Sequence, residues 1–316
     1  MTNKEKYRIL CQNSSEISVF MQDWWLDAAC QNDWDVLLYE QNNRIVAALP
    51  YFIQKKLCFK TILPPYLTPI NALYISYEKG MNISTKYSFE IEVMDYFAKQ
   101  INQLGMDYYC QKFDYRIKNW LGFYWNGFTQ TTYYTYRIED LSDMDSVYQN
   151  ISSKRRRSIR NAQETIRIDE DINNEDFYKL LSMSFERQKK TIPYSFEVFE
   201  RIEKACFERG VSKKLVAKDT QGGKLAVMYL IFDNNICYTL ASGANPKYRD
   251  SGAMALLNWR AIEIANQLSM KEVDFTGSMM KNVEKFLRFY GATQTPYFLI
   301  EKKFSKLYTI LKNIKP

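Results

Sequence analysis

The stretch LASGANPKYRDSGAMALLNWRAIEIANQLSMKEVDFTGSM, residues 240–279, joins the end of a predicted strand to a long predicted helix through a basic loop. The helix opens at a Ser-Gly-Ala step, where free backbone amides and the positive end of the helix dipole face outward. Such a terminus suits a phosphate or pyrophosphate, and glycine lets a ligand approach the backbone closely. The alternative is a glycine at an ordinary helix start. The candidate phosphate-binding residues are Lys247, Arg249, Ser251, Gly252 and Ala253.

The chain on either side of this stretch alternates between predicted helices and strands. The hairpin LVAKDTQGGKLAVMYLIF, turned by Gly222 and Gly223, leads into it. Further elements are predicted as helices at 174–189, 196–208 and 282–290 and as strands at 166–168, 272–275 and 295–301. Helices followed by an antiparallel meander, and then by a helix that returns to a further strand, predict an α/β fold with a mixed sheet.

The first half shows a version of the same order. The alternating run WDVLLYEQ turns at Asn42 and Asn43 and returns through RIVAALPYFIQKKL, which predicts a β-hairpin. The segment CFKTILPPYLTP, residues 58–69, carries three prolines, so we expect an edge strand or an irregular crossing there. The polar stretch EDLSDMDS at 139–146 marks a boundary. The sequence therefore predicts two domains, at residues 1–140 and 141–316.

Composition removes several classes of chemistry. The 316 residues are 46% hydrophobic and include no histidine, which excludes Ser-His-Asp and Cys-His catalysis and histidine-ligated metals. The six cysteines form no CxxC pair and fall mostly in apolar segments, so we expect reduced, buried thiols, no metal site and no bound cofactor. The net charge of +7 favours anionic partners without choosing among them.

Several motifs carry a resemblance to a known superfamily. Arg249, Gly252 and Met254 resemble the acyl-CoA-binding motif of GNAT acyltransferases, in which glycine or alanine stands at the last of these positions. The run LLNWRAIEIANQLSMKEVDFTGS and the segment EKFLRFYGATQTPYFLI resemble the end of FemABX-type enzymes, and FMQDWWLDA resembles the opening of that family. The chain thus resembles the FemABX and BioF2-like branch of the GNAT superfamily. The resemblance implies two tandem GNAT-like domains, with the first on the acceptor side and the second binding the acyl donor.

The resemblance also implies a reaction. An activated acyl or aminoacyl group, carried by acyl-CoA or aminoacyl-tRNA as co-substrate, is attacked directly by an amine while the enzyme positions both partners. Asp274, at a strand end, and Asp114, at the matching end in the first half, are candidates for holding or deprotonating the amine. Tyr290 is a candidate for protonating the leaving group. The alternatives are that the aspartates cap strand ends and that Tyr290 packs in the core.

The resemblance narrows the acceptor only to a small molecule or a cell-wall precursor with an amine. The residues LDAA follow the opening tryptophans, where peptidoglycan enzymes of the family tend to carry lysines, and this weakens a muramyl-peptide acceptor.

A basic helix is predicted from SSKRRRSIRNA at 152–162, with Ser152 or Ser153 as its cap. Its basic side chains could receive nucleotide phosphates, a tRNA backbone or a lipid diphosphate, or could form a solvated face. The candidate polyanion-binding residues are Lys154, Arg155, Arg156, Arg157 and Arg160.

The final segment FSKLYTILKNIKP forms a short basic amphipathic helix that can dock on its own protein or lie on an anionic membrane. No apolar run is long enough to span a bilayer, and the N-terminal residues do not resemble a signal peptide. We therefore expect a cytoplasmic protein with no transmembrane segment, whose C-terminal basic segment is a candidate for peripheral membrane contact. Two other functions stay open: a basic nucleic-acid-binding module, and a catalytically degenerate GNAT-fold binding protein.

Overall fold

The computed structural model describes residues 1–277 and 279–314, with side chains described to residue 310. The chain forms two compact units. The first contains residues 1–133 together with 296–316, and the second contains residues 134–295. The chain therefore passes between units twice, because its last strand pairs in the first unit, whereas the sequence suggested one passage at 140/141.

The helices and strands follow one another in mixed order. The helices are α1 (Asn3–Asn13), α2 (Asp23–Cys30), α3 (Ile83–Gln103), α4 (Leu121–Trp125), α5 (Met144–Asn150), α6 (Ser153–Thr165), α7 (Asn174–Glu186), α8 (Phe196–Phe207), α9 (Ala253–Gln267), α10 (Lys281–Leu287) and α11 (Lys306–Ile314). The strands are β1 (Trp34–Gln41), β2 (Arg44–Lys56), β3 (Phe59–Leu63), β4 (Tyr74–Ile75), β5 (Tyr108–Lys112), β6 (Thr129–Ile138), β7 (Ile166–Asp169), β8 (Ser212–Asp219), β9 (Lys224–Asp233), β10 (Ile236–Ala244), β11 (Glu272–Asp274) and β12 (Thr293–Lys303).

In the first unit the strand order is β1-β2-β3-β5-β12, and β4 pairs with β2. The predicted hairpin is confirmed: β1 and β2 pair as far as Gln41 with Arg44, and both Asn42 and Asn43 have positive φ, as a tight two-residue turn requires. The expectation of an edge strand at 58–69 was wrong for its first part. Strand β3 pairs with both β2 and β5, and its neighbouring prolines begin only after it ends at Leu63.

In the second unit the strand order is β6-β11-β10-β9-β8-β7, with β10 and β11 parallel and the other neighbours antiparallel. A mixed sheet of this kind is what the pattern of predicted elements indicated. Helix α9 contributes ten buried side chains to the core of this unit. In the described part of the chain no helix combines the length and apolar character needed to cross a bilayer.

Candidate functional site

The sheet of the second unit opens between β10 and β11. The two strands pair only from Ile236 to Tyr238 on β10, opposite Glu272 to Asp274 on β11. Strand β10 then bulges between Thr239 and Ala241 and continues to Ala244, where its described pairing is with β9 alone. The β11-facing edge of residues 241–243 therefore offers backbone groups to an extended ligand, much as a sheet edge accepts a peptide strand. The Ala244 amide is already bound, because it donates to the Ser184 hydroxyl at 2.8 Å.

A tight turn directs the chain after β11 away from this edge. Thr276 and Gly277 both have positive φ, and the Thr276 hydroxyl donates to the carbonyl oxygen of Thr239 at 2.8 Å. A Cβ atom on Gly277 would lie 2.1 Å from the carbonyl oxygen of Tyr134, so only glycine lets the turn pack against β6. The opening between the strands is thus fixed by the local sequence.

Helix α9 begins directly beyond the open end of β10. Gly252 is its N-cap with φ +82°, and the Ser251 hydroxyl accepts a hydrogen bond from the Ala253 amide at 3.2 Å. The next amides, of Met254 and Ala255, belong to the first turn, where a helix supplies no acceptor of its own. Together with the helix dipole they form the positive terminus that the sequence indicated.

The structure gives Gly252 an additional role. A Cβ atom there would lie 3.0 Å from the Ser158 carbonyl oxygen and 3.0 Å from the Ala162 Cβ atom, both on α6. Glycine is therefore needed for helix packing as well as for its positive φ. Met254, which departs from the GNAT motif, packs its partly buried side chain against the core of the unit.

The basic loop ahead of α9 provides cations. Lys247 and Arg249 are exposed and, among the described residues, have no acidic side chain within ion-pair distance. Ser251 is partly exposed between them and the helix. All five sequence-predicted phosphate-binding residues lie in the short segment between the open end of β10 and the first turn of α9.

Asp274 closes the opposite side of the gap. Its carboxylate is 4% exposed and accepts hydrogen bonds from the Thr135 hydroxyl at 2.5 Å and from the Thr276 amide at 2.7 Å. The first bond ties β11 to β6, and the second ties β11 to the turn that follows. These contacts agree with the capping alternative and leave the role in deprotonation a prediction.

Asp114 occupies a comparable position in the first unit, two residues after β5. Its buried carboxylate accepts from the Arg116 side chain at two atoms, Nε at 2.8 Å and Nη2 at 2.9 Å. The Arg116 amide donates to it as well, at 2.8 Å. Sequence reasoning missed this partner, although an arginine two residues beyond an aspartate is a readable signal.

Tyr290 lies beside the first turn of α9. It is 1% exposed, and its hydroxyl donates to the carbonyl oxygen of Ala255 at 3.1 Å. Burial raises the pKa of this phenol above its ordinary range. The guanidinium carbon of Arg155 lies 5.3 Å from the centre of its ring and 3.9 Å from the centre of the Phe286 ring.

The predicted basic residues of α6 fall into two groups: two of them contact other parts of the protein, and three are exposed. Arg155 turns inward over the aromatic rings, and Arg156 donates to the carbonyl oxygen of Gln149 at 2.5 Å, near the end of α5. Lys154, Arg157 and Arg160 are exposed. The helix itself is confirmed, with Ser152 as its cap.

A pocket of about 230 Å³ lies where β6 ends in the second unit, and sequence reasoning missed it. Its lining includes Arg137, Glu139, Asp140, Asp143 and Tyr290. The buried Arg137 pairs with Glu139 and Glu272. The described residues contain no cluster of three or more histidine, cysteine or acidic side chains that could hold a metal ion, and Cys58 is the exposed member of the six cysteines.

Comparisons with known proteins identify the class. Residues 145–285 match the family described as an acetyltransferase (GNAT) domain. Among solved structures, FemX is similar with a TM-score of 0.69, 11% identity and coverage of 94% of this chain and 96% of that one. No curated protein matches the sequence.

Two further solved structures extend this likeness over both units. L-PGS from Bacillus licheniformis has a TM-score of 0.58 and 14% identity, covering 98% of this chain and 95% of that one. A tandem GNAT protein from the clavulanic acid biosynthesis pathway has a TM-score of 0.56 and 8% identity, covering 95% and 94%.

The second unit therefore contains a GNAT acetyltransferase domain. The chain as a whole has a fold similar to that of FemX and of the tandem GNAT protein. The expected fold class, the family resemblance and the class of enzyme are therefore confirmed.

Proposed function

We propose that this protein transfers an acyl or aminoacyl group to an amine, with the activated donor bound in the second unit. The observation that carries the proposal is the continuity of the open edge of β10 with the N-terminus of α9 and the loop holding Lys247 and Arg249. An extended acyl arm would lie along the strand edge. Its phosphates would then meet the helix amides and the two cations.

The transfer needs one nucleophilic step. The amine nitrogen attacks the acyl carbonyl, a carbon–nitrogen bond forms, and the carbon–sulfur or carbon–oxygen bond to the donor breaks. The amine loses a proton, and the thiolate or ribose oxygen gains one. Positioned backbone donors can stabilise the oxyanion without a covalent enzyme intermediate. This chemistry suits a chain with no histidine.

We assign the proton-handling roles as the sequence suggested, to Asp274 or Asp114 for the amine and to Tyr290 for the leaving group. The hydrogen bond from Tyr290 to the first turn of α9 supports its place beside the donor phosphates. For Asp274, the support is its position at the end of β11, beside the gap.

The donor is proposed as acyl-CoA or aminoacyl-tRNA, and the acceptor as a small molecule or cell-wall precursor. Lys247, Arg249 and the helix terminus can meet the few phosphates of CoA. A tRNA needs a longer basic track, which the exposed Lys154, Arg157 and Arg160 would supply. The two donors are therefore separable by which arginines matter.

Thermal-shift titration with acetyl-CoA, longer acyl-CoAs and aminoacyl-tRNA tests the proposal. A ligand that binds only the native state at a hundredfold excess over its Kd stabilises the protein by about 2.7 kcal/mol, so the melting temperature rises. A hit is then incubated with labelled donor and a panel of amines. Binding without transfer would indicate a degenerate enzyme, and tRNA binding alone, indifferent to aminoacylation, would indicate a nucleic-acid-binding module.

A further inference from the structure

An apolar surface surrounded by lysines lies in the first unit. One part is the turn between β2 and β3, where Leu57 is 91% exposed. The other part is α11, where Leu307 is 56% exposed and Ile310 is 57% exposed. Large apolar side chains left in water at this level, on two neighbouring segments, indicate an interaction surface.

The two segments are held together by specific contacts. The ring of Phe59, at the start of β3, meets the ring of Tyr308 on α11 edge-on, with centroids 5.3 Å apart. Asp107 binds both segments: its side chain accepts from the Lys60 amide at 2.8 Å, and its carbonyl oxygen accepts from the Phe304 amide at 2.9 Å. The turn and the helix therefore form one surface.

Helix α11 docks through only one edge of its apolar face. Tyr308 stacks on Tyr108 with ring centroids 5.4 Å apart, which anchors the helix. Leu307 and Ile310 lie three residues apart, on one face, and remain exposed. Helix α11 therefore docks on the protein body, as expected, and its Leu307 and Ile310 side chains still remain exposed. The side chains of Leu311 and Lys312, and all of Lys315, lie outside the described residues.

Charge indicates what covers this surface. Lys55 and Lys56 precede the β2–β3 turn, and Lys303 and Lys306 flank the start of α11. All four are exposed, and in the described part of the chain none has an acidic side chain within ion-pair distance. The nearby carboxylates are engaged, Asp107 with the Lys60 amide and Glu301 with the Tyr108 hydroxyl.

We propose that the β2–β3 turn and the exposed face of α11 form a docking surface for an anionic lipid bilayer. Leu57, Leu307 and Ile310 enter the interfacial region, and the lysines contact lipid phosphates. Apolar side chains ringed by lysines match a bilayer because it offers a negative surface with an apolar interior beneath. The contact is peripheral and reversible, and it is independent of the donor site.

Sedimentation of the full chain with vesicles tests this surface. Wild type should pellet with equimolar phosphatidylcholine and phosphatidylglycerol vesicles and not with phosphatidylcholine alone, and added salt should weaken binding. Each lysine near an anionic surface strengthens partitioning about fivefold. The variant Lys306→Glu/Leu307→Ser should therefore bind at least about tenfold more weakly, with an unchanged melting temperature because both side chains are exposed.

The matched control is Lys204→Glu/Phe207→Ser on α8 of the second unit, which also reverses one exposed lysine and removes one exposed apolar side chain. It should bind vesicles as wild type does. If the α11 variant does not fold, Leu57→Ser tests the same surface independently, and this variant should also sediment less with the anionic vesicles. No binding of wild type to the anionic vesicles, or equal loss in the control, overturns the proposal. So does a wild-type dimer in sedimentation velocity that the α11 variant abolishes, or tRNA binding at this surface in place of vesicle binding.

Discussion

The Tyr290 hydroxyl donates a hydrogen bond to the carbonyl oxygen of Ala255 at 3.1 Å, which ties the turn after α10 to the first turn of α9. Because both groups are buried, the bond matters more for holding the helix terminus than an exposed one would. The same tyrosine carries the Arg155 guanidinium over its ring. The geometry of the helix terminus therefore depends on residues from three separate segments.

We expect Tyr290→Phe to lower the free energy of unfolding by about 1 kcal/mol, since a buried carbonyl loses its donor. The variant should also change the pH dependence. Burial raises the folded-state pKa of Tyr290 above the unfolded value near 10. The stabilisation of the folded state by the protonated Tyr290 is present in full below about pH 10 and is lost as the pH rises towards the folded-state pKa. Urea titrations above pH 10 should show wild type losing up to about 1.4 kcal/mol per pH unit more than the variant.

The fold could be predicted from local patterns where those patterns are strong. The Asn42-Asn43 turn follows from residues that tolerate positive φ between two alternating runs. The return of β12 to the first unit, where Leu299 pairs opposite Lys112, could not, because pairing across so long a sequence separation leaves no local signal. The polar stretch near residue 140 therefore predicted one boundary between domains, whereas the chain passes between its two units twice.

The candidate site could be predicted in its backbone features and less well in its side chains. A basic loop followed by Ser-Gly-Ala before a long apolar helix is readable from sequence. The inward turn of Arg155 over Phe286 is not, because it depends on a partner far along the chain. The sequence also placed Arg156 among the candidate polyanion-binding residues, yet backbone carbonyls beside α6 bind its guanidinium.

Gly252→Ala should destabilise the protein more than Gly222→Ala does. Both glycines have nearly equal positive φ, +82° and +83°, so each alanine costs about 1 kcal/mol in backbone strain. A Cβ atom on Gly252 also lies 3.0 Å from backbone and side-chain atoms of α6, whereas nothing lies within 4 Å of one on Gly222. Denaturant midpoints of the two variants isolate the packing cost. Equal midpoints would show that α6 can move aside freely.

Arg249→Ala should weaken donor binding by about 1.5–3 kcal/mol, the usual range for a hydrogen bond to a charged group. Stability should change little, because the side chain is exposed and has no described ion pair. Arg167→Ala is the matched control. Arg167 is an exposed arginine on β7, the last strand of the sheet, three strands away from β10. Calorimetric titration of both variants with the donor found by thermal shift gives the comparison. Affinity equal to wild type in Arg249→Ala would remove this residue from the site.

Arg157→Ala/Arg160→Ala should separate the two donor classes. These arginines are exposed on α6, whereas Arg155 and Arg156 make contacts within the protein, so the double variant should retain its stability. CoA binding should remain nearly unchanged, because the helix terminus and Arg249 meet its few phosphates. Binding of tRNA should fall strongly, and its dependence on salt should become shallower as phosphate contacts are lost.

With both ligands measured at the same salt, an equal loss for each would assign a structural role to the exposed arginines. A loss confined to CoA would place the donor against α6 instead of the loop that holds Arg249.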